Sequence, residues 1–280
     1  TDKITSEYNI EDADYIGCHA TTYVNKYDML KNIKQGGTFV LNAPWKTVEE
    51  LDANLPSALK HQIAEKQVKL YVIDATAVAQ KVGLRQRINM VMQAVFFKLS
   101  NILPEAQATE LIANNIRTRY AKKGQEVVDM NIKAMEQAPK ELVQIDYPAS
   151  WKDYKMEPLR TFGPEVPSYF KDLYYATTLL EGDDFPVSKF RPGGIHETDT
   201  AKYEKRGFAV SVPVWNKETC TQCNQCSVMC PHSVVRPFLV DAEEMKKAPA
   251  AFQTLPAVGD ELKGLNFRIQ ASPMDCTGCE

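Results

Sequence analysis

A short run of cysteines is the feature of this sequence whose spacing most directly indicates a chemistry. Residues 220–231 read CTQCNQCSVMCP, with Cys220, Cys223, Cys226 and Cys230 followed by Pro231. Three thiolates at this spacing can wrap one loop around three corners of a [4Fe-4S] cubane, while the fourth cysteine is carried away from it. When a protein holds two such clusters, that fourth cysteine ligates the other one. The run therefore predicts iron-sulfur chemistry and a second run downstream.

The second run begins near the end of the chain. Residues 276–280 read CTGCE, which supplies Cys276 and Cys279. Because the chain ends inside this run, we expect the sequence to be a fragment. Two other kinds of site compete for these cysteines. A structural zinc site also uses paired CxxC units, and a disulfide framework needs an oxidising compartment, for which the N-terminus offers no secretory segment.

Composition places the chain among cytoplasmic globular enzymes. The 280 residues are 44% hydrophobic and 25% charged, which is enough to bury a core in one to three domains. The net charge is -3 and the basic residues are dispersed, so we expect no nucleic-acid partner, and no stretch looks apolar enough for a membrane. All seven cysteines except Cys18 lie at or beyond Cys220, and Cys18 is expected to be a small buried strand residue.

The first half of the chain shows the alternation that is typical of βα units. Helical periodicity continues after residue 84, and Thr47 is a suitable N-cap, while the pair Gly36 and Gly37 is expected to stop the preceding helix. The expected fold is α/β, a partial doubly wound parallel sheet with a helical C-terminal part. The predicted strands are 13–19, 37–44 and 68–75, and the predicted helices are 21–34, 47–66, 88–104 and 105–142.

Segments that follow the predicted strands mark the edge where a ligand crevice is expected. They are Cys18-His19, Asn42 to Trp45, and Asp74 to Thr76. His19 is read as a turn histidine rather than a metal ligand, and Asn42 and Trp45 fit turn chemistry or packing as well as binding. The sequence contains neither GxGxxG nor a Walker A motif, so no nucleotide site follows from motif.

The amino-acid composition changes between residues 147 and 205, where prolines and aromatic residues are mixed without sustained periodicity. Because disordered linkers carry few aromatic residues, we expect an ordered, irregular connector. The alternating FAVSVPVW at 208–215 then predicts a strand that delivers Cys220. We therefore predict three domains: an α/β domain at 1–147, a connector at 148–205, and an α+β ferredoxin-like dicluster domain at 206–280.

Several motifs together resemble the pyruvate:ferredoxin (flavodoxin) oxidoreductase family. They are GLRQRINMVMQAVFFKLSNILP, DMNIKA, YEKRGFAVSVPVW, CTQCNQCSVMCPHSVVRPF and FRIQASPMDCTGC. The likeness runs in order through the later part of the family's γ-type domain, its small domain named for EKR, and its dicluster ferredoxin domain. It implies oxidative decarboxylation of pyruvate with CoA, using thiamine diphosphate and magnesium, to acetyl-CoA and CO2. Electrons would go to ferredoxin or flavodoxin, and the full-length protein would be a homodimer.

The resemblance also implies roles for individual residues. Cys220, Cys223 and Cys226 match three ligands of one [4Fe-4S] cluster, and Cys230, Cys276 and Cys279 match three ligands of the second. The ligand set is therefore incomplete in this chain, and the fourth cysteine of each cluster is expected beyond Glu280. Asn89 and Asn131 match CoA-contacting asparagines. Arg85 and Arg87 are near enough to Asn89 in sequence to suggest phosphate contacts.

No segment matches the family's pyruvate or thiamine diphosphate domain, or the glycine-rich start of its γ domain, so no catalytic residue is carried over. A third [4Fe-4S] cluster is expected in those parts. An oxidoreductase for another 2-oxoacid, or a non-catalytic electron carrier or scaffold fused to an α/β domain, stays open.

Overall fold

The computed structural model describes residues 11–207 and 209–279, which divide into two compact units after Phe185. The first unit contains a four-stranded sheet in the order β1-β2-β3-β4. β1 to β3 run parallel, as predicted, and β4 adds to the edge antiparallel to β3. Within the described residues, strand order proceeds in one direction across the sheet. The strands are β1 (Ala13–Cys18), β2 (Ile33–Asn42), β3 (Lys69–Ile73) and β4 (Val143–Ile145).

Helices cover both faces of this sheet. Successive side chains of a strand point to opposite faces, so apolar residues on both sides are buried under helices. Phe39 and Leu41 of β2 enter one core, while Val40 between them enters the other. The first core contains buried residues of α1 and α2, and the second contains those of α3 to α6. This is a mixed α/β layer with a parallel sheet. Its helices are α1 (Val48–Asn54), α2 (Ser57–Glu65), α3 (Ala75–Lys81), α4 (Asn89–Ser100), α5 (Glu105–Tyr120), α6 (Gln125–Glu141) and the short α7 (Ala176–Thr178).

The helix predicted at 21–34 is wrong. That segment forms only a 3-10 turn at Thr21–Asn25, and β2 already begins at Ile33. The glycine pair lies inside β2 rather than at a helix end. The β1–β2 register shifts there, since Ala13 pairs with Ile33 but Tyr15 pairs with Thr38, and Gly36 takes a φ of 71°. The glycines therefore allow a bulge within the strand.

Helix 47–66 is in fact two helices, α1 and α2, because Pro56 stands between them and lacks the N–H that a continuous helix needs. The predicted cap at Thr47 is confirmed. Its hydroxyl accepts from the Glu50 N–H at 3.2 Å, and the Glu50 carboxylate accepts from the Thr47 N–H at 3.1 Å. This reciprocal capping box fixes where α1 begins.

Lys60 of α2 is a charged side chain that is only 6% exposed. Its ammonium donates to the Asp52 carboxylate at 3.0 Å and to the Asp52 carbonyl at 2.8 Å, and it lies 4.0 Å from the centre of the Tyr154 ring. The hydrogen bonds from Lys60 and then Tyr154 hold the pKa of Asp52 below its ordinary value. Lys60 thus ties α1, α2 and the segment around residue 154 together.

Replacing Lys60 with alanine is expected to lower the free energy of unfolding by roughly 1.5–3 kcal/mol, the range for hydrogen bonds to charged groups. The loss should fall near the lower end, because the Asp52 side chain is 42% exposed and regains water. Urea unfolding of the two proteins measures it. The control is Lys98→Ala, which removes an exposed pair with Glu105 and should cost under about 1 kcal/mol. Equal losses for both variants would contradict the structural role of Lys60.

After β4 the first unit becomes irregular but remains ordered by aromatic contacts. The Phe162 ring meets Tyr175 edge-on at 4.8 Å and Phe170 at 5.6 Å, and the Arg160 guanidinium lies 4.7 Å from the Phe162 ring centre. These contacts agree with the order expected for residues 160–175, and the connector as a whole stays a prediction. The predicted domain boundaries at 147 and 205 stay a prediction; the division into compact units falls between them.

The second unit contains a three-stranded antiparallel sheet in the order β5-β7-β6. The strand predicted at 208–215 is wrong for its described residues, 209–215, which take no strand conformation. Pro213 has no N–H to donate, and Val214 is 87% exposed. The elements are α8 (Ala201–Glu204), α9 (Gln225–Met229), β5 (Val235–Val240), α10 (Ala242–Lys247), β6 (Leu255–Pro256) and β7 (Asn266–Ala271).

Candidate iron-sulfur centre

Cys220, Cys223 and Cys226, here called the first cysteine set, line one cavity of about 430 Å³. Cys220 follows the 3-10 turn at Lys217–Thr219, and Cys226 lies in α9. Between them the backbone turns sharply, because Gln222 and Asn224 both take left-handed conformations with φ of 58° and 59°. The loop therefore bends around the cavity instead of passing beside it.

The rest of the cavity wall is supplied largely by the sheet and the segment before Cys220. Val235 of β5 and Ile269 and Ala271 of β7 face it, together with the apolar residues Val214 and Trp215. Ile269 and Ala271 are two residues apart, so they share one face of β7. Thiolates within a mostly apolar wall are the donor set and surroundings that an iron-sulfur cluster requires. The residues present fit this group.

Hydrogen bonds favour the thiolate form at two of the cysteines. The Gln225 backbone N–H, followed by the Thr221 hydroxyl, holds the pKa of Cys223 below its ordinary value. The backbone N–H of Val234 does the same for the pKa of Cys230, with help from neighbouring N–H groups. Because iron is ligated by thiolate and not by thiol, these donors prepare both sulfurs for ligation.

Cys230 and the later cysteines leave the same end of the β5–β7 pair. Val235 of β5 is paired with Ala271 of β7, and the Ser272 N–H donates to the Val234 carbonyl at 2.9 Å. Between the two segments, His232 Nδ1 and Thr277 Oγ1 lie 3.3 Å apart. The antiparallel register thus brings the segment after Cys230 to the segment that carries Cys276 and Cys279.

The segment 272–279, here called the second cysteine loop, is held by short-range hydrogen bonds. The Cys276 N–H donates to the Ser272 carbonyl at 3.0 Å, and the Gly278 N–H points to Cys276 Sγ at 3.4 Å. Cys276 is buried and Cys279 is exposed. The ligand assignment of all six cysteines to two clusters stays a prediction, and the loop geometry is consistent with it.

Apolar side chains close to the cysteines in sequence differ in exposure. Val234 is buried, whereas Val228 and Met229 are 82% and 77% exposed. Gln222 bonds to the backbone of the segment around β6. Its amide donates to the Pro256 carbonyl at 2.7 Å and accepts from the Val258 N–H at 3.0 Å. These two bonds hold the loop of the first cysteine set beside β6.

Cys18 stands apart from these cysteines. It ends β1, is 1% exposed and donates to the Ala20 carbonyl at 3.1 Å, so its expected role as a small buried strand residue is confirmed. Burial raises the pKa of its thiol to about 11. Across residues 11–207 and 209–279, no group of three or more histidine, cysteine or acidic side chains is arranged to hold a single metal ion.

The strand ends of the first unit meet at Asn42, which is 7% exposed. Its amide nitrogen donates to the His19 carbonyl at 2.9 Å, and its amide oxygen accepts from the Ala75 N–H at 2.9 Å. The three segments predicted to share this edge do lie together. Asn42 acts there as a crosslink between backbones, which is the turn chemistry that the sequence left open beside binding.

The two asparagines singled out for coenzyme contact lie in different surroundings. Asn89 is exposed at the first position of α4, on the same surface stretch as the exposed residues Arg85 and Arg87. Asn131 of α6 is 3% exposed, and its amide donates to the Val127 carbonyl one turn earlier at 2.7 Å. Asn131 is therefore a buried helix residue whose amide is already engaged.

Family models match most of the chain in three consecutive stretches. Residues 1–141 match the model described as "Pyruvate ferredoxin/flavodoxin oxidoreductase". Residues 157–209 match EKR, a "Domain of unknown function", and residues 213–236 match "4Fe-4S binding domain". The last match contains Cys220 to Cys230, which supports the iron-sulfur reading of that run. No helix among the described residues is long and apolar enough to cross a membrane.

Curated relatives align with nearly the whole chain. The pyruvate:ferredoxin oxidoreductase of Moorella thermoacetica is 46% identical over 99% of this chain, and the pyruvate-flavodoxin oxidoreductase of Enterobacter agglomerans is 43% identical over 99%. The pyruvate dehydrogenase [NADP(+)] of Cryptosporidium parvum is also 43% identical over 99%. The chain spans 23%, 23% and 16% of these relatives, respectively. The match of residues 1–141 covers half of the 280 residues, so this chain belongs to the pyruvate ferredoxin/flavodoxin oxidoreductase family.

Proposed function

We propose that this chain is the CoA-contacting and electron-transfer segment of a longer enzyme that oxidatively decarboxylates pyruvate and delivers the electrons to ferredoxin or flavodoxin. The observation that carries the proposal is the cavity lined by the first cysteine set, in a chain whose other half matches the oxidoreductase model. Thiamine diphosphate, magnesium and a third [4Fe-4S] cluster are assigned to other parts of that enzyme, which we propose acts as a cytoplasmic homodimer.

The chain's own residues supply three of the four cysteine ligands of each of two [4Fe-4S] clusters in this proposal. When bound, the clusters supply one-electron transfer between the buried reaction site and a protein acceptor at the surface. Cys220, Cys223 and Cys226 ligate one cluster; Cys230 ligates the other with Cys276 and Cys279. The paired strands β5 and β7 fix the separation of the two sets, since both cysteine segments leave the same end of that pair. Apolar residues such as Ile269 keep water from the first cluster.

The finer fold assignment is part of the same proposal. The α/β unit corresponds to the later part of a doubly wound γ-type domain, and the C-terminal unit to the start of an α+β dicluster ferredoxin domain. Helices on both faces of the parallel sheet support the first assignment. The antiparallel sheet beside the cysteines supports the second.

CoA contact is proposed at Asn89, with Asn131 as a second contributor. Asn89 stands at the N-terminus of the 12-residue helix α4, where backbone N–H groups and the helix dipole favour phosphate. The exposed Arg85 and Arg87 precede it and add positive charge. Asn131 is engaged inside α6, so we give Asn89 the direct contact.

Replacing Asn89 with alanine is expected to weaken CoA binding by on the order of 1.5–3 kcal/mol, the range for a charge-assisted hydrogen bond, or about 10-fold to 150-fold in Kd. Calorimetric titration of the intact enzyme with CoA measures the change. Asn115→Ala, at an exposed position of α5, is the matched control and should leave Kd unchanged. An unaltered affinity in the Asn89 variant would remove this residue from the site.

An anaerobic assay of the intact enzyme tests the proposed reaction. Pyruvate and CoA together should reduce ferredoxin or flavodoxin and yield acetyl-CoA, and omission of either substrate should stop reduction. Faster turnover of another 2-oxoacid would instead support an oxidoreductase for that acid. Cluster reduction without any oxoacid-dependent turnover would support the electron carrier or scaffold.

The acceptor is tested in the same assay. The names of the relatives include ferredoxin, flavodoxin and NADP(+). The proposal predicts that this enzyme reduces a ferredoxin or flavodoxin directly and does not reduce NADP(+) without a further electron carrier.

A further inference from the structure

The segment 203–207, which reads YEKRG, lies against the second cysteine loop, although the two are far apart in sequence. The helix α8 ends at Glu204, and Lys205 and Gly207 then take left-handed conformations with φ of 44° and 59°. A positive φ is rare for a lysine, so surrounding contacts must hold it. We therefore expect contacts between Lys205 and the neighbouring loop to hold this conformation.

Two independent contacts join the segment to the loop. The Lys205 ammonium lies 2.6 Å from Asp275 Oδ2, and the Gly207 N–H donates to the Met274 carbonyl at 2.8 Å. Gly207 suits this position because its φ of 59° is a conformation that other residues rarely adopt, and an added Cβ would also meet the Met274 side chain at 2.8 Å. Side-chain and main-chain contacts thus fall on adjacent residues of the loop.

The Asp275 carboxylate is the centre of this arrangement. It accepts from Lys205 and, on the same oxygen, from the Ser272 hydroxyl at 2.6 Å. The Lys205 and Asp275 side chains are 39% and 28% exposed, so the pair is partly shielded from water. Asp275 immediately precedes Cys276, whose own N–H is bonded to the Ser272 carbonyl. Any movement of Asp275 must therefore move the residue that carries the thiol.

We infer that the segment 203–207 acts as a clamp on the second cysteine loop, in which Lys205 is a positioning residue for the cluster that Cys276 ligates. This assigns a role to a region that matches only a domain of unknown function, and it rests on the proposed function of Cys276 and Cys279 as ligands. Lys205 acts in two ways. It fixes Asp275 in place, and it compensates a negative charge that would otherwise oppose reduction of the cluster.

The test is a redox titration of the intact enzyme followed by electron paramagnetic resonance, with the first cluster as an internal reference. Lys205→Met removes the ammonium group that pairs with Asp275. It should shift the one-electron reduction equilibrium of the second cluster on the order of tenfold toward the oxidised form. The midpoint potential would then be more negative by about 59 mV. The first cluster should keep its potential. Loss of the second cluster alone would also support the clamp.

Two further variants separate the clamp from a general effect of charge. Lys205→Arg retains the positive charge and should restore most of the potential. Lys202→Met removes a charge that lines one cavity together with Lys205 and Asp275 but is paired with Asp199, outside the second cysteine loop, and it should leave both clusters unchanged. If Lys205→Met loses both clusters, Ser272→Ala decides the matter, since it removes only one hydrogen bond on Asp275 and should still shift the second cluster selectively.

The outcomes distinguish this inference from the proposed function. Wild-type enzyme without the second cluster would overturn the ligand assignment and with it the clamp. If the wild-type enzyme holds both clusters, and the Lys205→Met and Ser272→Ala variants keep the wild-type potentials, the clamp alone is overturned. An equal shift in the Lys202→Met variant would also overturn it, because the ion pair of Lys202 is with Asp199 and not with Asp275.

Discussion

Replacing Cys223 with alanine is expected to abolish pyruvate-driven reduction of ferredoxin by the intact enzyme. Cys223 is the central thiol of the three that line the cavity, and its sulfur is already favoured as thiolate by the Gln225 N–H. Loss of a group that only supports a ligand costs 10-fold to 100-fold in metal affinity, so loss of the ligand itself should cost more than about 100-fold in electron transfer. Binding of pyruvate and CoA should be spared, because neither depends on this cavity.

The matched control is Cys18→Ala, which makes the same chemical change at a buried cysteine of the other unit. It should keep the cluster content and the rate of ferredoxin reduction. Anaerobic kinetics with pyruvate as donor and ferredoxin as acceptor give the comparison. If the Cys223 variant reduced ferredoxin at the wild-type rate, the cavity would not lie on the electron path.

Replacing Trp151 with alanine is expected to lower the free energy of unfolding by roughly 3–5 kcal/mol, the range for removing a buried aromatic side chain. Trp151 is 1% exposed and stacks on Tyr147 with ring centres 5.5 Å apart. The indole also helps to hold the pKa of Asp52 below its ordinary value, and the Tyr147 hydroxyl donates to the Val68 carbonyl at 2.9 Å. These contacts attach the segment after β4 to the α/β core.

Urea unfolding followed by far-ultraviolet circular dichroism measures this loss. Trp151→Phe keeps the ring stacking but loses the N–H and some volume, so it should cost about 1–2 kcal/mol. The alanine variant should therefore have clearly the lower free energy of unfolding of the two. A loss below about 1 kcal/mol for Trp151→Ala would show that residues after β4 are not part of the folded core.

The iron-sulfur reading could be made from sequence because cluster ligands are encoded locally. The spacing of Cys220 to Cys230 is itself the geometric requirement, and the strands β1 to β3 are recognisable from short apolar runs. The cap at Thr47 was also predictable from neighbouring residues. Two of the wrong predictions have causes in neighbouring residues as well, because Pro56 divides the helix predicted at 47–66 and Gly36 lies in a bulge of β2 rather than at a helix end.

The surroundings of the site could not be predicted, because they depend on pairing between distant segments. Val235, Ile269 and Ala271 face the cavity only through the register of β5 against β7. The contact of Lys205 with Asp275 spans 70 residues. No periodicity within either segment indicates that they meet.

Iron, zinc and acid-labile sulfide should be measured per polypeptide on the intact enzyme purified without oxygen, because their ratio decides whether the cysteines hold iron-sulfur clusters. We expect about eight irons with matching sulfide for the two clusters that this chain helps to ligate, and about four more for the cluster assigned elsewhere, with no stoichiometric zinc. Cys223→Ala should lower the total by about four irons. Zinc without sulfide would instead make the cysteines a structural metal site and remove the electron path.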